Sequence, residues 1–442
     1  MKTTTTTLLI ALAPAAFLSR PAAAAGEAPK PVAIVGGDVQ TVTQGLIRKG
    51  TVLLKDGKIE RVGLGIEVPK DYTVVDASGK YVMPGFVVAS ARGIGVSGFG
   101  GGRGRGGRGG GGPTRGKLSD GFDPYAFTVS LALASGITTA FLNPGGGGFG
   151  GFFEDPVGGR SAGISGLATV MKPTEGDLAS MTLKEPAAIL VDYAASSPAG
   201  KFEVREKLKG AREYLDKRES YEKDKLAGKD VKEPPKDDEK EMLARLLEGE
   251  ISARVTATEV DDILAVIDLA REFGIKVVLE AATEAWIVAD EIGKSGIACV
   301  ITPRRKQSPN RFKAGPSGSS DELSAILARS GVRIAVVPPT TTLGTGGIAG
   351  RDLVTFPLEA AFAMRGGLDE RGALASITIG AAEILGVADR VGSLEAGKDA
   401  DVIVLDGHPL DYRTFVEKTF INGKLYYDKS ESTFFSHLER RQ

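Results

Sequence analysis

Histidine is nearly missing: His408 and His437 are the two present in 442 residues. A metal site assembled from several imidazoles cannot be built from this chain. Cysteine is scarcer still, with Cys299 alone, which excludes an intramolecular disulfide framework and any multi-cysteine metal cage. There is no excess of charge of one sign either, since 55 Lys and Arg stand against 56 Asp and Glu, a net of −1. That balance gives no whole-chain argument for nucleic acid or an anionic membrane surface as partner. What is present is ordinary for a soluble globular chain, 42% hydrophobic and 25% charged. The length suits one large domain plus a smaller one. Glycine is the outlier at 60 residues, much of it in local runs.

Residues 1–25 read as a secretory signal. Lys2 gives a positive start, residues 8–18 (LLIALAPAAFL) form an apolar core too short to span a bilayer, and Pro21-Ala22-Ala23-Ala24-Ala25 offers small-residue cleavage sites. No cysteine follows to carry a lipid, and no later stretch approaches the roughly 20 apolar residues of a membrane helix. The expectation is a secreted or periplasmic protein with no membrane anchor after signal cleavage.

Residues 31–83 alternate short β-rich runs with turns, Asp56-Gly57 being a hairpin signal. From Pro84 the pattern changes to strands alternating with amphipathic helices. The strands are expected at 137–142, 188–192, 253–258, 276–280, 298–302 and 333–337. The helices are expected at 259–273, 283–295, 321–330, 358–365, 369–376 and 381–385. Repeated strand–helix order implies parallel strands, and at this length a (β/α)8 TIM-like barrel over 84–387. Strands return over 388–428, so a small β-sandwich domain is expected to assemble from both termini, with 429–442 as a tail.

Two inserts interrupt this plan. Residues 97–116 are low-complexity Gly and Arg, expected to be a flexible loop. Arg-Gly-Gly repeats invite an RNA-binding reading, but aromatic interleaving is limited to Phe99 and export argues against nucleic acid. A second glycine run, 145–151, lacks the Gly-Lys-[Ser/Thr] ending of a phosphate-binding P-loop. Residues 201–248 carry dense mixed-sign charge around Glu233-Pro234-Pro235, which reads as two exposed helices joined by a loop, with a partner surface as the minority reading.

Val82-Met83-Pro84-Gly85-Phe86, Ser135-Gly136-Ile137-Thr138-Thr139 and the run from Met181 to Ala187 carry a resemblance. So do Glu280-Ala281-Ala282-Thr283-Glu284 and the closing phrase Gly392-Ser393-Leu394-Glu395-Ala396-Gly397-Lys398-Asp399-Ala400-Asp401. The chain resembles the metal-dependent amidohydrolase superfamily, specifically its imidazolonepropionase-like branch, across 31–428. The resemblance implies a barrel joined to a split β-sandwich, and in active members zinc or another divalent metal.

The chemistry is where this sequence departs. The resemblance places a metal-binding His-x-His at the end of the first barrel strand, where Ser90, Ala91 and Arg92 stand, with Val88 in place of the usual Asp. A later histidine segment corresponds to Thr256-Ala257-Thr258, and a further histidine after Glu280 corresponds to Ala281. The metal-binding, proton-shuttling Asp corresponds to Pro339, and a bridging lysine falls near Leu190. Hydroxyls are neutral, weak ligands and Arg92 is a fixed cation, whereas catalytic zinc needs three protein ligands and a water. Strand alternation predicts that if Ala281 faces the axis, Glu280 faces the helices. No resident metal or cofactor is therefore expected.

Ser90 as a nucleophile would need a base, and neither His408, in the Asp406-Gly407-His408-Pro409 turn, nor His437, in the tail, is placed for that. Arg92, Arg304 and Arg305 are candidates for binding an anionic ligand, guanidinium pairing well with carboxylate or phosphate. Arg92 pairing with an internal acid is the plainer alternative, as is a solvated loop for Arg304-Arg305-Lys306. The expected function is a catalytically degenerate companion of an active amidohydrolase homologue. The alternative is a hydrolase of cyclic amide or peptide-like C–N bonds with a non-standard site.

Overall fold

Asp56 and Gly57 both adopt left-handed backbone in the computed structural model, and this turn folds β2 (Leu46–Lys55) back onto β3 (Lys58–Gly63). The structure describes residues 29–96, 117–143, 163–193, 198–344 and 350–432. The signal segment, the Gly/Arg loop, the second glycine run and most of the tail lie outside them.

β1 (Val32–Gln40) pairs with β2 on one side and is shared on the other. Its first half takes β4 (Thr73–Asp76) and its second half takes β5 (Tyr81–Pro84), both parallel. The change of partner falls at Gly36-Gly37, where Gly36 has φ +79° and a Cβ on Gly37 would lie 2.7 Å from Val82. From the other end of the chain, β14 (Val402–Leu405) pairs with β5, followed by β15 (Val416–Ile421) and β16 (Lys424–Asp428). The domain from both termini is thus one connected eight-stranded sheet rather than two separate ones.

The second eight-stranded sheet is the barrel, in the order β6 (Phe86–Ala91), β7 (Ile137–Leu142), β8 (Gly163–Met171), β9 (Thr182–Asp192), β10 (Ser252–Thr256), β11 (Val277–Glu280), β12 (Ala298–Ile301) and β13 (Ile334–Val336). Every neighbouring pair is parallel except those made by β8, which runs antiparallel to β7 and β9. The seam between β6 and β13 is bridged by loop contacts, Val87 N–H to Ile377 O and Arg92 N–H to Thr341 O.

Alternation along these strands separates two layers. Ala253, Val255, Leu279, Cys299 and Val336 pack outward against the helices, among them Val260–Phe273. Val87, Ala89, Phe141, Ala168, Val170, Val278, Val300 and Ala335 fill the barrel interior. Cys299 is therefore an outward core residue, and burial pushes its thiol up to about 12.

The charged insert forms two helices, Pro198–Leu226 and Asp238–Leu247, each burying one apolar edge such as Val204, Leu208 and Leu215. The helix expected over 283–295 is shorter, Ala289–Ser295. Its first half is turns because buried Glu284 is recruited to accept the N–H groups of Val260 (3.0 Å) and Gly318 (2.7 Å). Barrel and terminal domain are joined by Lys172, fully buried, whose ammonium reaches Asp399 (2.8 Å), Asp401 (2.9 Å) and Asn422 (2.7 Å).

Candidate functional site

The C-terminal ends of the parallel strands form the barrel mouth, the face on which this architecture carries its chemistry. Strand parity decides which side chains reach it. β10 places Arg254 in register with Val278 of the interior and Thr256 in register with Glu280. Glu280 therefore faces the axis, and the condition under which it would face the helices, an axis-facing Ala281 on a continuing strand, is not met. Ala281, at φ +57°, has left the strand, so the alternation assumed through Glu280 and Ala281 ends at Glu280.

Arg254 and Glu280 dominate the interior. Arg254 is 2% exposed and donates from Nη1 to Glu280 Oε1 at 3.4 Å, while its guanidinium lies 4.0 Å from the centre of the Phe141 ring. Burial pulls this arginine down to about 10, with Glu280 acting in the opposite direction. The ring face supplies part of the compensation that water would otherwise give.

Around this pair the expected site residues take separate places. Ser90 is buried and its Oγ accepts a hydrogen bond from Asn143 Nδ2 at 2.8 Å, so its partner is an amide rather than a base. Arg92 is half-buried just past β6. Thr256 and Thr258 are half-buried at the end of β10, and Pro339 is half-buried beyond β13. Leu190 faces the interior from β9, in register with Arg254.

Arg304 is engaged by the protein itself. Its Nε lies 2.5 Å from Glu359 Oε1, it donates to Gly350 O, and it stacks over Phe362. Burial raises the fully enclosed Glu359 carboxyl to about 7, against the pull of Arg304. Arg305 is half-buried, and Lys306 pairs with Asp321. His408 lies in the terminal domain, Nε2 3.0 Å from Glu370, and His437 falls outside the described residues.

Sequence reasoning missed Arg254, Asn143 and Asp192, the last a buried carboxylate at the inward end of β9. The available signal was a charge inside an otherwise apolar alternating strand, Ala253-Arg254-Val255. Among the described residues, no group of three or more His, Cys, Asp or Glu side chains is placed to hold a metal ion.

Comparison with known proteins places this architecture. A crystal structure of an amidohydrolase from Thermotoga maritima MSB8 superimposes with a TM-score of 0.71 at 30% identity, covering 90% of this chain and all of that one. The chain belongs to the amidohydrolase family. The profile of the Amidohydrolase family matches residues 256–426 of this chain. Amidohydrolase tasK of Hapsidospora irregularis is 26% identical over 200 residues, which is 44% of this chain and 19% of that protein. Imidazolonepropionase of Thermoplasma volcanium is 38% identical over 65 residues, 13% of this chain and 16% of that enzyme. The chain thus spans less than a fifth of the length of these two curated relatives.

Proposed function

We propose that this amidohydrolase-family protein has given up the family's metal-dependent hydrolysis and works, after export, as a companion subunit of an active homologue. The observation that carries the reading is the donor set at the barrel mouth. The corresponding positions hold Ser90, Arg92, Thr256, Thr258, Ala281 and Pro339, and the Glu280 carboxylate is turned onto Arg254. These residues do not fit a catalytic divalent ion, which needs about three anionic or imidazole ligands and an open position. An intact fold without that donor set favours a role in pairing over turnover.

A hydrolase of cyclic amide or peptide-like C–N bonds is the second reading. In its favour, β9 and β11 still bring two carboxylates, Asp192 and Glu280, to the inward side of the barrel. Metal content of the mature protein purified from its native host separates the two. Substoichiometric zinc and co-purification of a histidine-bearing homologue are expected. Stoichiometric zinc with chelator-sensitive hydrolysis would overturn the companion reading, as would repeated failure of any homologue to co-purify.

A further inference from the structure

A cleft of about 690 Å3 opens at the opposite end of the barrel from the mouth, between the starts of β9 to β12, Arg333 just before β13, and the C-terminal end of the helix Ile379–Leu385. Its wall is mixed, with Ala187, Ile251, Val277, Ile297 and Leu385 lying among polar and charged groups. Its rim carries cations from four separate segments: Lys184, Lys276, Lys294 and Arg333.

These cations lack carboxylate partners within the described residues. Lys184 donates to Leu385 O (3.3 Å), Lys276 to Gly249 O (2.8 Å) and Arg333 to Gly296 O (3.3 Å). Leu385 and Gly296 end helices, so these contacts also complement the negative ends of helix dipoles. Each uses one donor of the three on a lysine or the five on an arginine. Burial, and next the neighbouring Lys276, pull the Lys184 ammonium below its ordinary value, with Asp389 opposing. Of the other charged residues on the rim, Arg271 is paired with Asp268 and Glu250 with Arg245, leaving Glu383 as the acid that offsets the four.

We infer that this cleft binds a small organic anion, an apolar body bearing a phosphate or carboxylate head. The apolar part of the wall takes the body, and Lys184, Lys276, Lys294 and Arg333 take the head with charge-assisted hydrogen bonds. A volume in this range suits a ligand of ordinary metabolite size. The face is remote from the strand ends that carry barrel chemistry, so the inference stands whether or not the mouth hydrolyses anything.

Calorimetric titration of the mature full-length protein with 1-naphthyl phosphate, 2-naphthoate and inorganic phosphate tests it. Saturable binding of one naphthyl anion at a single site is expected, tighter than inorganic phosphate and weakened by salt, and the preferred head distinguishes phosphate from carboxylate. Lys276→Ala/Lys294→Ala, at two exposed positions and with an unchanged melting temperature, should weaken binding by roughly tenfold or more. Arg92→Ala at the mouth should leave it intact. No saturable binding of either naphthyl anion overturns the inference. So does binding that ignores the double substitution or that disappears with Arg92→Ala.

Discussion

Replacing Glu280 by alanine would leave the Arg254 guanidinium enclosed in the barrel with its carboxylate partner gone. The cost can be worked from the site. Arg254 is 2% exposed and held at about 10 even with Glu280 beside it. Against an ordinary value of 12.5, that is an imbalance of roughly 3 kcal/mol against the charged form. Breaking a buried pair from one side typically costs about 3–5 kcal/mol. Two features point to the lower end: the Phe141 ring at 4.0 Å persists, and the Glu280 side chain is 17% exposed, so water can follow its removal. The expected destabilisation is about 3 kcal/mol. Arg254→Met/Glu280→Leu, which removes both charges, should come back to within about 1 kcal/mol of the original. Urea unfolding followed through Trp286, the single tryptophan, reads the barrel transition. A loss under about 1 kcal/mol for Glu280→Ala, or a double variant as unstable as the sum of its parts, would refute the assignment of Arg254 as a charge held by Glu280.

Two further substitutions probe charges buried elsewhere. Lys172→Met should cost about 3–5 kcal/mol in thermal or urea unfolding, because it leaves Asp399 and Asp401 buried at the domain junction without their shared cation. Burial alone would raise Asp399, but Lys172, with Lys58 and Arg390, holds it at about 2; that stabilisation is present above pH 3.8 and lost as pH falls through 2, so Lys172→Met should move acid unfolding to higher pH. Glu359 behaves oppositely: its folded value of about 7 lies above the unfolded 4.5, so its contribution to stability is fully present below pH 4.5 and is lost, by up to about 3 kcal/mol, as pH rises through 7. Glu359→Gln should flatten that slope, and melting temperatures taken from about pH 5 to 8 would expose an unchanged slope.

The terminal domain and the alternating barrel were legible because their signals are local. Asp56-Gly57 forms its turn, and the Pro84-Gly85-Phe86 entry is enforced at Gly85, where a Cβ would lie 2.1 Å from Thr138. The antiparallel β8 was not legible. Its nine residues follow a glycine run and are joined to β9 by no α-helix, only the 3-10 turn Leu178–Ser180, so nothing in the local pattern states its direction. The inward turn of Glu280 escaped for a different reason. Alternation holds only while the backbone stays extended, and Ala281 at φ +57° ends it one residue before the position used to assign the faces. Likewise, the helical pattern over 283–295 is broken by Glu284, whose two long-range N–H partners lie in segments that sequence does not place beside it.

Arg254, the residue least visible in the sequence, also bears most directly on what the barrel can hold. A divalent ion bound about 2 Å from Glu280 Oε1 would lie within about 5.5 Å of the Arg254 Nη1 that now donates to that oxygen. At an effective dielectric of about 20, a double and a single positive charge at that separation repel by on the order of 6 kcal/mol. That repulsion adds to a shortage of ligands, because Ser90, Thr256 and Ala281 supply no anionic or imidazole donor, so guanidinium and metal compete for the Glu280 carboxylate. Removing the arginine would lift the repulsion but leave the ligand shortage untouched. Arg254→Ala should therefore lose stability without gaining zinc, whereas tight zinc uptake by that variant would mean that the arginine, rather than the missing histidines, is what keeps the metal out.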